Sequence, residues 1–124
     1  KGVELWGTGT PMREFLCSED MADACVYIME KVDFKDLSKD KKEVRNCHIN
    51  IGTGKEVSIR ELATIVQKTI QYEGDILFDE SKPDGTPRKL TDVSKLNGLG
   101  WNHTVEVDEG VRRMYDWYTQ PIEH

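Results

Sequence analysis

The most constraining feature of the sequence is residues 79–92, which contain two prolines and a glycine within five positions, among charged side chains. Proline has a fixed φ and no backbone N–H, so neither a helix nor an interior strand accommodates two of them this close together. We therefore predict a loop of fixed shape that presents Asp84, Arg88 and Lys89 from a rigid backbone.

A second glycine- and proline-containing loop, residues 6–15, offers the aromatic face of Trp6 and the guanidinium of Arg13. Arg13 lies between apolar neighbours, so we predict that its charge is partly enclosed and needs an anionic partner. That partner is either an internal carboxylate or a diphosphate, whose oxygens a planar guanidinium binds in pairs. Two cationic loops on an acidic chain indicate a site for an anionic ligand such as a nucleoside diphosphate. Ordinary surface turns are the alternative.

Composition narrows the possible functions. A chain of 124 residues forms one domain at most, and its net charge of −6 disfavours a nucleic-acid partner, which requires a basic surface. No run approaches the roughly eighteen apolar residues of a membrane helix, and there is no secretory leader. We therefore expect a soluble protein. The three cysteines are odd in number and form no CxxC pair, so we expect reduced thiols in a cytoplasmic protein. The cysteines and histidines lack metal-ligand spacing, so we expect no metal site. The absence of an initiator Met suggests a part of a larger protein.

Short strand patterns alternate with amphipathic helix patterns along the chain. Strands are predicted at residues 3–6, 14–17, 47–51 and 76–78. The first and last helices are predicted to have Ser18 and Asp108 as their N-caps, and the second to begin at a capping box formed by Ser58 and Glu61. One or two further helical turns are predicted at 92–96. We predict a solvated loop at 33–46, with a helical turn within it left open. The buried face of the first helix is predicted to comprise Met21, Ala22, Cys25, Ile28, Met29 and Val32.

This order predicts an α/β class with α+β character: a small mixed sheet and three to four helices, with too few strands for a complete doubly wound domain. The turn Gly52-Thr53-Gly54 lacks the third glycine of a dinucleotide-binding fingerprint, so we interpret it as a tight strand-to-helix turn. Cys17 and His48 are interpreted as packing residues, and Trp101 as a hydrophobic anchor of the C-terminal segment.

Residues 6–16 (WGTGTPMREFL) and 81–90 (SKPDGTPRKL) resemble the GDP-L-fucose synthase family, within the extended short-chain dehydrogenase/reductase superfamily. Residues 50–54, 58–63, 99–101 and 110–118 fit the same family in order, so the resemblance covers nearly the whole chain apart from 33–46. Other sugar-nucleotide epimerases and dehydratases of the superfamily share several of these features. They usually carry an Arg-Pro-Gly-Asp-like loop where this chain has residues 82–89.

The resemblance implies that residues 1–124 are the C-terminal, GDP-sugar-binding portion of an NADPH-dependent epimerase-reductase. Such an enzyme converts GDP-4-keto-6-deoxy-D-mannose to GDP-L-fucose, with its NADPH, its N-terminal Rossmann domain and its catalytic residues outside this chain. We therefore expect neither a catalytic residue nor a cofactor on the chain, and a homodimeric parent enzyme. In the family, residues that match Trp6, Arg13 and Asp84 bind the GDP-sugar, and Lys89 matches a cation near the diphosphate. Arg88 is left open as an internal ion pair.

Two alternatives remain. The parent protein could be another epimerase or dehydratase that acts on UDP- or dTDP-sugars, or the chain could be a non-catalytic nucleotide-sugar-binding module.

Overall fold

A computed structural model describes residues 1–39 and 42–121. Within these ranges the elements follow the order β1 (Val3–Trp6), β2 (Met12–Arg13), α1 (Ser18–Lys31), α2 (Phe34–Ser38), β3 (Val57–Ser58), α3 (Ile59–Thr69), β4 (Ile76–Asp79), β5 (Arg88–Lys89), α4 (Ser94–Gly98) and α5 (Val107–Thr119). The mixed α/β class predicted from the sequence is confirmed. None of the helices in these ranges has the length and apolar character that a membrane crossing requires.

The strands form two small sheets. β1 and β4 pair in parallel, which places Trp6 opposite Asp79 at the carboxyl ends of both strands. In the second sheet β2 is central, antiparallel to β3 and parallel to β5. The strand predicted at 14–17 is therefore wrong by position, because the neighbouring strands pair with the two residues just before it.

Helix α3 begins where the sequence indicated. The Ser58 hydroxyl accepts a hydrogen bond from the Glu61 backbone N–H, and the Glu61 carboxylate accepts one from the Ser58 N–H, so the predicted capping box is confirmed. The helix lays apolar side chains against the inner face of the β1–β4 sheet and encloses a groove of about 300 Å³ with it. α3 also packs against α5. The helix thus fixes the sheet whose carboxyl edge carries both loops.

The hydrophobic core is small and lies under α1. It consists of Ala24, Leu96 and Trp101, with the Trp101 indole N–H donating to Asp23 Oδ2 at 2.8 Å. The predicted anchoring role of Trp101 is confirmed. The predicted buried face of α1 is observed only in part. Ile28 packs against the core, but Met29 is 84% exposed, and Ala24, which was not predicted, is fully buried. The indole packs against the small Ala24 side chain, and this contact decides which stripe of the helix faces inward.

Asp20 is the buried charged residue that holds the C-terminal segment. Its carboxylate accepts hydrogen bonds from the backbone N–H and hydroxyl of Thr104 and from the N–H of Val105, at 2.8 to 3.0 Å. Burial alone would raise the pKa of the Asp20 carboxyl, but these hydrogen bonds and the nearby His103 hold its pKa below the ordinary value. The carboxylate stays charged and fixes the approach to α5.

Two further helix predictions need correction. α1 begins at Ser18, but its N-cap is Cys17, and α5 begins at Val107 with Glu106 as its N-cap. Asp108 therefore lies in the first turn of α5, where its negative charge still interacts favourably with the helix dipole. In the predicted loop at 33–46 the described residues include the short helix α2; residues 40 and 41 of that loop lie outside the described ranges.

The segment 47–51, predicted to be a strand, is irregular. A strand requires a neighbour that pairs with its backbone, and none of the described strands lies beside this segment. Side chains hold it instead: Lys95 Nζ donates to the carbonyl oxygen of His48 at 2.6 Å, and Asn50 Nδ2 donates to that of Asp92 at 3.2 Å. His48 itself is exposed, so its prediction as a packed residue is also wrong.

We predict that Asp20→Asn lowers the free energy of unfolding at neutral pH by about 1–3 kcal/mol, because buried N–H groups lose a charged acceptor. The folded-state pKa of Asp20 is lowered. Its contribution is therefore complete above the unfolded-state pKa of about 3.9 and is lost as the pH falls through the lower folded-state value. Urea unfolding at about pH 7 and about pH 3 measures both effects.

The exposed Asp116→Asn serves as the control, and it should leave stability nearly unchanged. Between the two pH values the Asp20→Asn variant should lose less stability than the native protein. Equal losses in the two proteins would contradict the proposed role of the Asp20 carboxylate.

Candidate functional site

The two loops singled out in the sequence leave the same edge of the β1–β4 sheet. Since the strands are parallel, Trp6 and Asp79 end side by side, and the Gly7 N–H donates to the Asp79 carbonyl oxygen at 2.9 Å. The carboxyl edge of parallel strands is where ligands bind in open α/β sheets. The predicted loop is confirmed over residues 80–87. At its end, Arg88–Lys89 forms β5 and not irregular chain.

Asp84 joins the two loops. Its Oδ1 accepts the Thr8 backbone N–H at 2.9 Å, and its Oδ2 accepts the Thr8 hydroxyl at 2.7 Å. Gly7 has a φ of +85°, and a Cβ at this position would lie 2.3 Å from Asp84 Oδ1. The glycine therefore serves two purposes here, a left-handed backbone and room for the carboxylate.

Arg13 is half-buried at the end of β2. Its Nη1 donates to the carbonyl oxygen of Met12 at 2.6 Å, and a Cβ on Gly85 would lie 3.1 Å from its Nη2. Among the carboxylates of the described ranges none forms an ion pair with Arg13. Of the two partners considered from the sequence, the internal carboxylate is not observed there. The guanidinium lies against the Gly85 backbone, where a side chain at position 85 would crowd it.

Lys89 is the register partner of Arg13 in the parallel pairing of β2 and β5. Register partners project to the same face of a sheet, so the two cations lie side by side. The neighbouring Arg88 projects to the other face, where its Nε lies 2.8 Å from Glu56 Oε1. The ion pair considered for Arg88 is confirmed. The strand thus separates one neutralised cation from one exposed cation.

Trp6 presents an open aromatic surface at the end of β1, just before the loop that Asp84 holds. Its side chain is 71% exposed, and Lys82 Nζ lies 5.6 Å from its ring centroid. An indole with this exposure is not part of the core. Stacking on a base or a sugar face is a recurrent use of such a ring in ligand sites.

Glu14 was not recognised from the sequence as a determinant of the site. Its Oε1 accepts the N–H groups of Thr53 and Gly54, both at 2.7 Å, and its Oε2 accepts the N–H of Thr91 at 3.0 Å. Burial would raise the pKa of the Glu14 carboxyl, but the hydrogen bonds from Thr91, Gly54 and Thr53 hold that pKa below its ordinary value. The sequence carries no signal for this role, because Glu14 and the glycine-containing turn at 52–54 are far apart in the chain and meet only in the folded structure.

The chain bends at residues 52–54, with a φ of +70° at Gly54, but this bend joins the irregular segment 47–51 to β3 and is not the predicted strand-to-helix turn. The N–H groups of the bend, which in a dinucleotide-binding loop would bind phosphate, donate to Glu14. The geometry therefore gives this turn a structural role.

Comparison with known proteins first shows a similarity to a class of enzymes. Residues 1–52 match the NAD dependent epimerase/dehydratase family. A crystal structure of UDP-glucose 4-epimerase from Thermotoga maritima shares the fold, with a TM-score of 0.72 at 19% identity over 95% of this chain and 35% of that one.

The particular proteins that the chain resembles over nearly its whole length are GDP-L-fucose synthases. It is 46% identical to GDP-L-fucose synthase 1 of Arabidopsis thaliana over 97% of this chain and 34% of that protein. It is 45% identical to GDP-L-fucose synthase of Escherichia coli over 95% of this chain and 36% of that protein. The resemblance predicted from the two loops is confirmed.

Among solved structures, the chain resembles GDP-D-glycero-L-gluco-heptose synthase from Campylobacter jejuni, crystallised in the presence of NADPH. The TM-score is 0.88 at 44% identity, over 97% of this chain and 34% of that one. The chain thus spans about a third of the length of these relatives.

We predict that Gly52→Ala lowers the free energy of unfolding by about 1–3 kcal/mol, the usual cost of forcing atoms into a packed site. The added Cβ would lie 2.5 Å from Glu14 Oε1, and the carboxylate cannot move away without releasing its N–H donors. Gly98→Ala is the matched control, since nothing lies within 4 Å of its added Cβ. That variant should be neutral or stabilised by about 0.4–1 kcal/mol. Equal effects of the two substitutions in urea unfolding would contradict the role of Glu14.

Proposed function

We propose that residues 1–124 are the GDP-sugar-binding part of an NADPH-dependent epimerase-reductase that converts GDP-4-keto-6-deoxy-D-mannose to GDP-L-fucose. The observation that carries this proposal is the pairing of Arg13 with Lys89 on one face of the small sheet. The exposed indole of Trp6, at the start of the loop that leads to Arg13, supports it. The identity to GDP-L-fucose synthases supports the choice of a GDP-sugar as the ligand.

The diphosphate of such a substrate needs cations that are not already neutralised. Arg13 offers a planar fork of N–H donors for its oxygens, and Lys89 adds a second, exposed positive charge. Trp6 supplies a stacking surface for the base or sugar. Each oxygen of Asp84 accepts one hydrogen bond from Thr8, and a carboxylate oxygen has a further lone pair for a ribose hydroxyl or a base N–H.

The chemistry is assigned to the rest of the protein. Inversion at C3 and C5 requires proton removal beside the 4-keto group, and reduction at C4 requires hydride from NADPH. We place these groups in an N-terminal Rossmann domain, since the relatives are about three times longer than this chain and a similar structure was crystallised with NADPH. The chain contributes by holding the nucleotide so that the sugar reaches them.

The partner and location assignments belong to the same proposal. We propose that the complete protein is a cytoplasmic homodimer and that it binds neither nucleic acid nor membranes. The net charge of −6 supports the absence of a nucleic-acid partner, and the thiols of Cys17 and Cys25, which are free, suit a reducing compartment.

The first test is isothermal titration calorimetry of the complete natural protein that contains this chain, with GDP and separately with UDP. We expect GDP to bind at least about tenfold more tightly, which corresponds to roughly 1.4 kcal/mol. Equal affinities would replace the GDP-sugar assignment with a general sugar-nucleotide epimerase. Absence of binding to both nucleotides would refute a nucleotide site at these loops.

The second test separates the cations. Arg13→Ala and Lys89→Ala should each weaken GDP binding by about tenfold or more, because each removes a charge-assisted hydrogen bond worth roughly 1.5–3 kcal/mol. Arg88→Ala changes the net charge equally but removes a guanidinium that is paired with Glu56. We therefore expect its affinity for GDP to stay within about twofold of the native value. Similar losses in all three variants would show that only net charge matters.

A further inference from the structure

Arg60, the second residue of α3, contacts the loop of residues 6–15 through both its side chain and its backbone. Its Nη2–H donates to the carbonyl oxygen of Thr8 at 2.6 Å. Its backbone N–H donates to the carbonyl oxygen of Gly9 at 2.9 Å. One residue thus holds two successive carbonyl groups of the loop in place.

The guanidinium of Arg60 is itself fixed by an aromatic ring. Its Cζ lies 3.8 Å from the centroid of the Phe78 ring, on β4. The same ring closes over Gly9, where an added Cβ would lie 2.3 Å from Phe78 Cε1. Cation–π contact and hydrogen bonding therefore act together, and the loop is held between a ring and a guanidinium.

Arg60 stands where a helix gains nothing from a cation. The first turn of a helix favours negative charge, as at the neighbouring Glu61. No carboxylate of the described ranges forms an ion pair with Arg60. Neither the helix dipole nor charge neutralisation accounts for an arginine here, whereas its contacts with the loop do.

Thr8 connects Arg60 to the opposite loop. While Arg60 holds its carbonyl oxygen, Asp84 accepts its N–H and its hydroxyl. The peptide between Gly7 and Gly9 is therefore fixed from both sides of the site. Trp6 precedes this peptide, and Arg13 follows it by a few residues. The orientation of the peptide therefore influences where both candidate ligand-binding side chains lie.

We propose that Arg60 is a positioning residue of the nucleotide-sugar site that acts through Thr8 and does not touch the ligand itself. The inference rests on the proposed function and adds to it a residue outside both loops. It implies that loss of Arg60 weakens the binding of the nucleotide while the groups that perform the chemistry are unaffected.

The test compares Arg60→Ala, Arg60→Lys and Lys68→Ala in the complete protein. Lys68→Ala is the matched control, since it removes an exposed cation from the same helix with the same change of charge. We expect Arg60→Ala to weaken GDP binding and raise the KM for the GDP-sugar about tenfold, with kcat and the KM for NADPH within about twofold. Arg60→Lys should recover part of the affinity, because an ammonium can donate to Thr8 but cannot cover Phe78 as a guanidinium does. Lys68→Ala should match the native protein.

The outcomes distinguish this inference from the proposed function. Native affinity for GDP in Arg60→Ala, with or without lower stability, would overturn the positioning role and leave the proposed function intact. An equal loss of GDP affinity in Lys68→Ala would also overturn the positioning role, because it would show a general effect of charge. If the native protein fails to bind GDP, both proposals fall. Should Arg60→Ala not fold, Arg60→Lys decides: a raised KM with unchanged kcat supports the role, and an unchanged KM overturns it.

Discussion

The carboxylate of Glu14 is the interaction on which the arrangement of the site depends. It lies directly after β2 and accepts backbone N–H groups from Thr53, Gly54 and Thr91, which bring two distant parts of the chain to it. Adjacent residues of an extended chain project to opposite sides. When Glu14 is held on one side, Arg13 is directed to the other, beside Lys89. A charge used entirely inside the protein thus orients the charge that faces the candidate ligand.

Charged staples of this kind compensate for a small apolar core. Leu96 is the large side chain that is fully buried in the described ranges, and much of the surrounding chain is irregular. Loop backbones without strand partners need hydrogen-bond acceptors, and a carboxylate supplies several in one place. Asp20 does this for the segment before α5, as Glu14 does for the segments around the site. Each of these two carboxylates therefore accepts backbone hydrogen bonds that a neighbouring strand would accept in a sheet.

The features that could be predicted from the sequence are local ones. The capping box at Ser58 needs only residues three apart, and a loop with two prolines excludes regular structure whatever surrounds it. The inward stripe of α1 was not predictable, because it depends on Trp101 and on the donors that surround Asp20, which lie 78 and 84 positions further along the chain than their partners. Segment 47–51 likewise has the composition of a strand, but strand formation depends on a pairing partner elsewhere in the chain, and none of the described strands pairs with it. The candidate residues Trp6, Arg13, Asp84 and Lys89 were found by motif; the linkage of Asp84 to Thr8, and of Arg60 behind it, required coordinates.

The distribution of charge explains how an acidic protein could bind an anion selectively. A net charge of −6 repels long polyanions, whose binding sums over many phosphates, whereas a small ligand responds to the nearest groups. The nearest cations differ in their pairing: Arg88 is neutralised by Glu56, whereas Arg13 and Lys89, on the opposite face, form no ion pair with a carboxylate of the described ranges. Enclosing Arg13 costs desolvation energy that a paired anion would offset. In the proposed site, the geometry that makes Arg13 unfavourable when unpaired would therefore favour a compact diphosphate over a long phosphate chain.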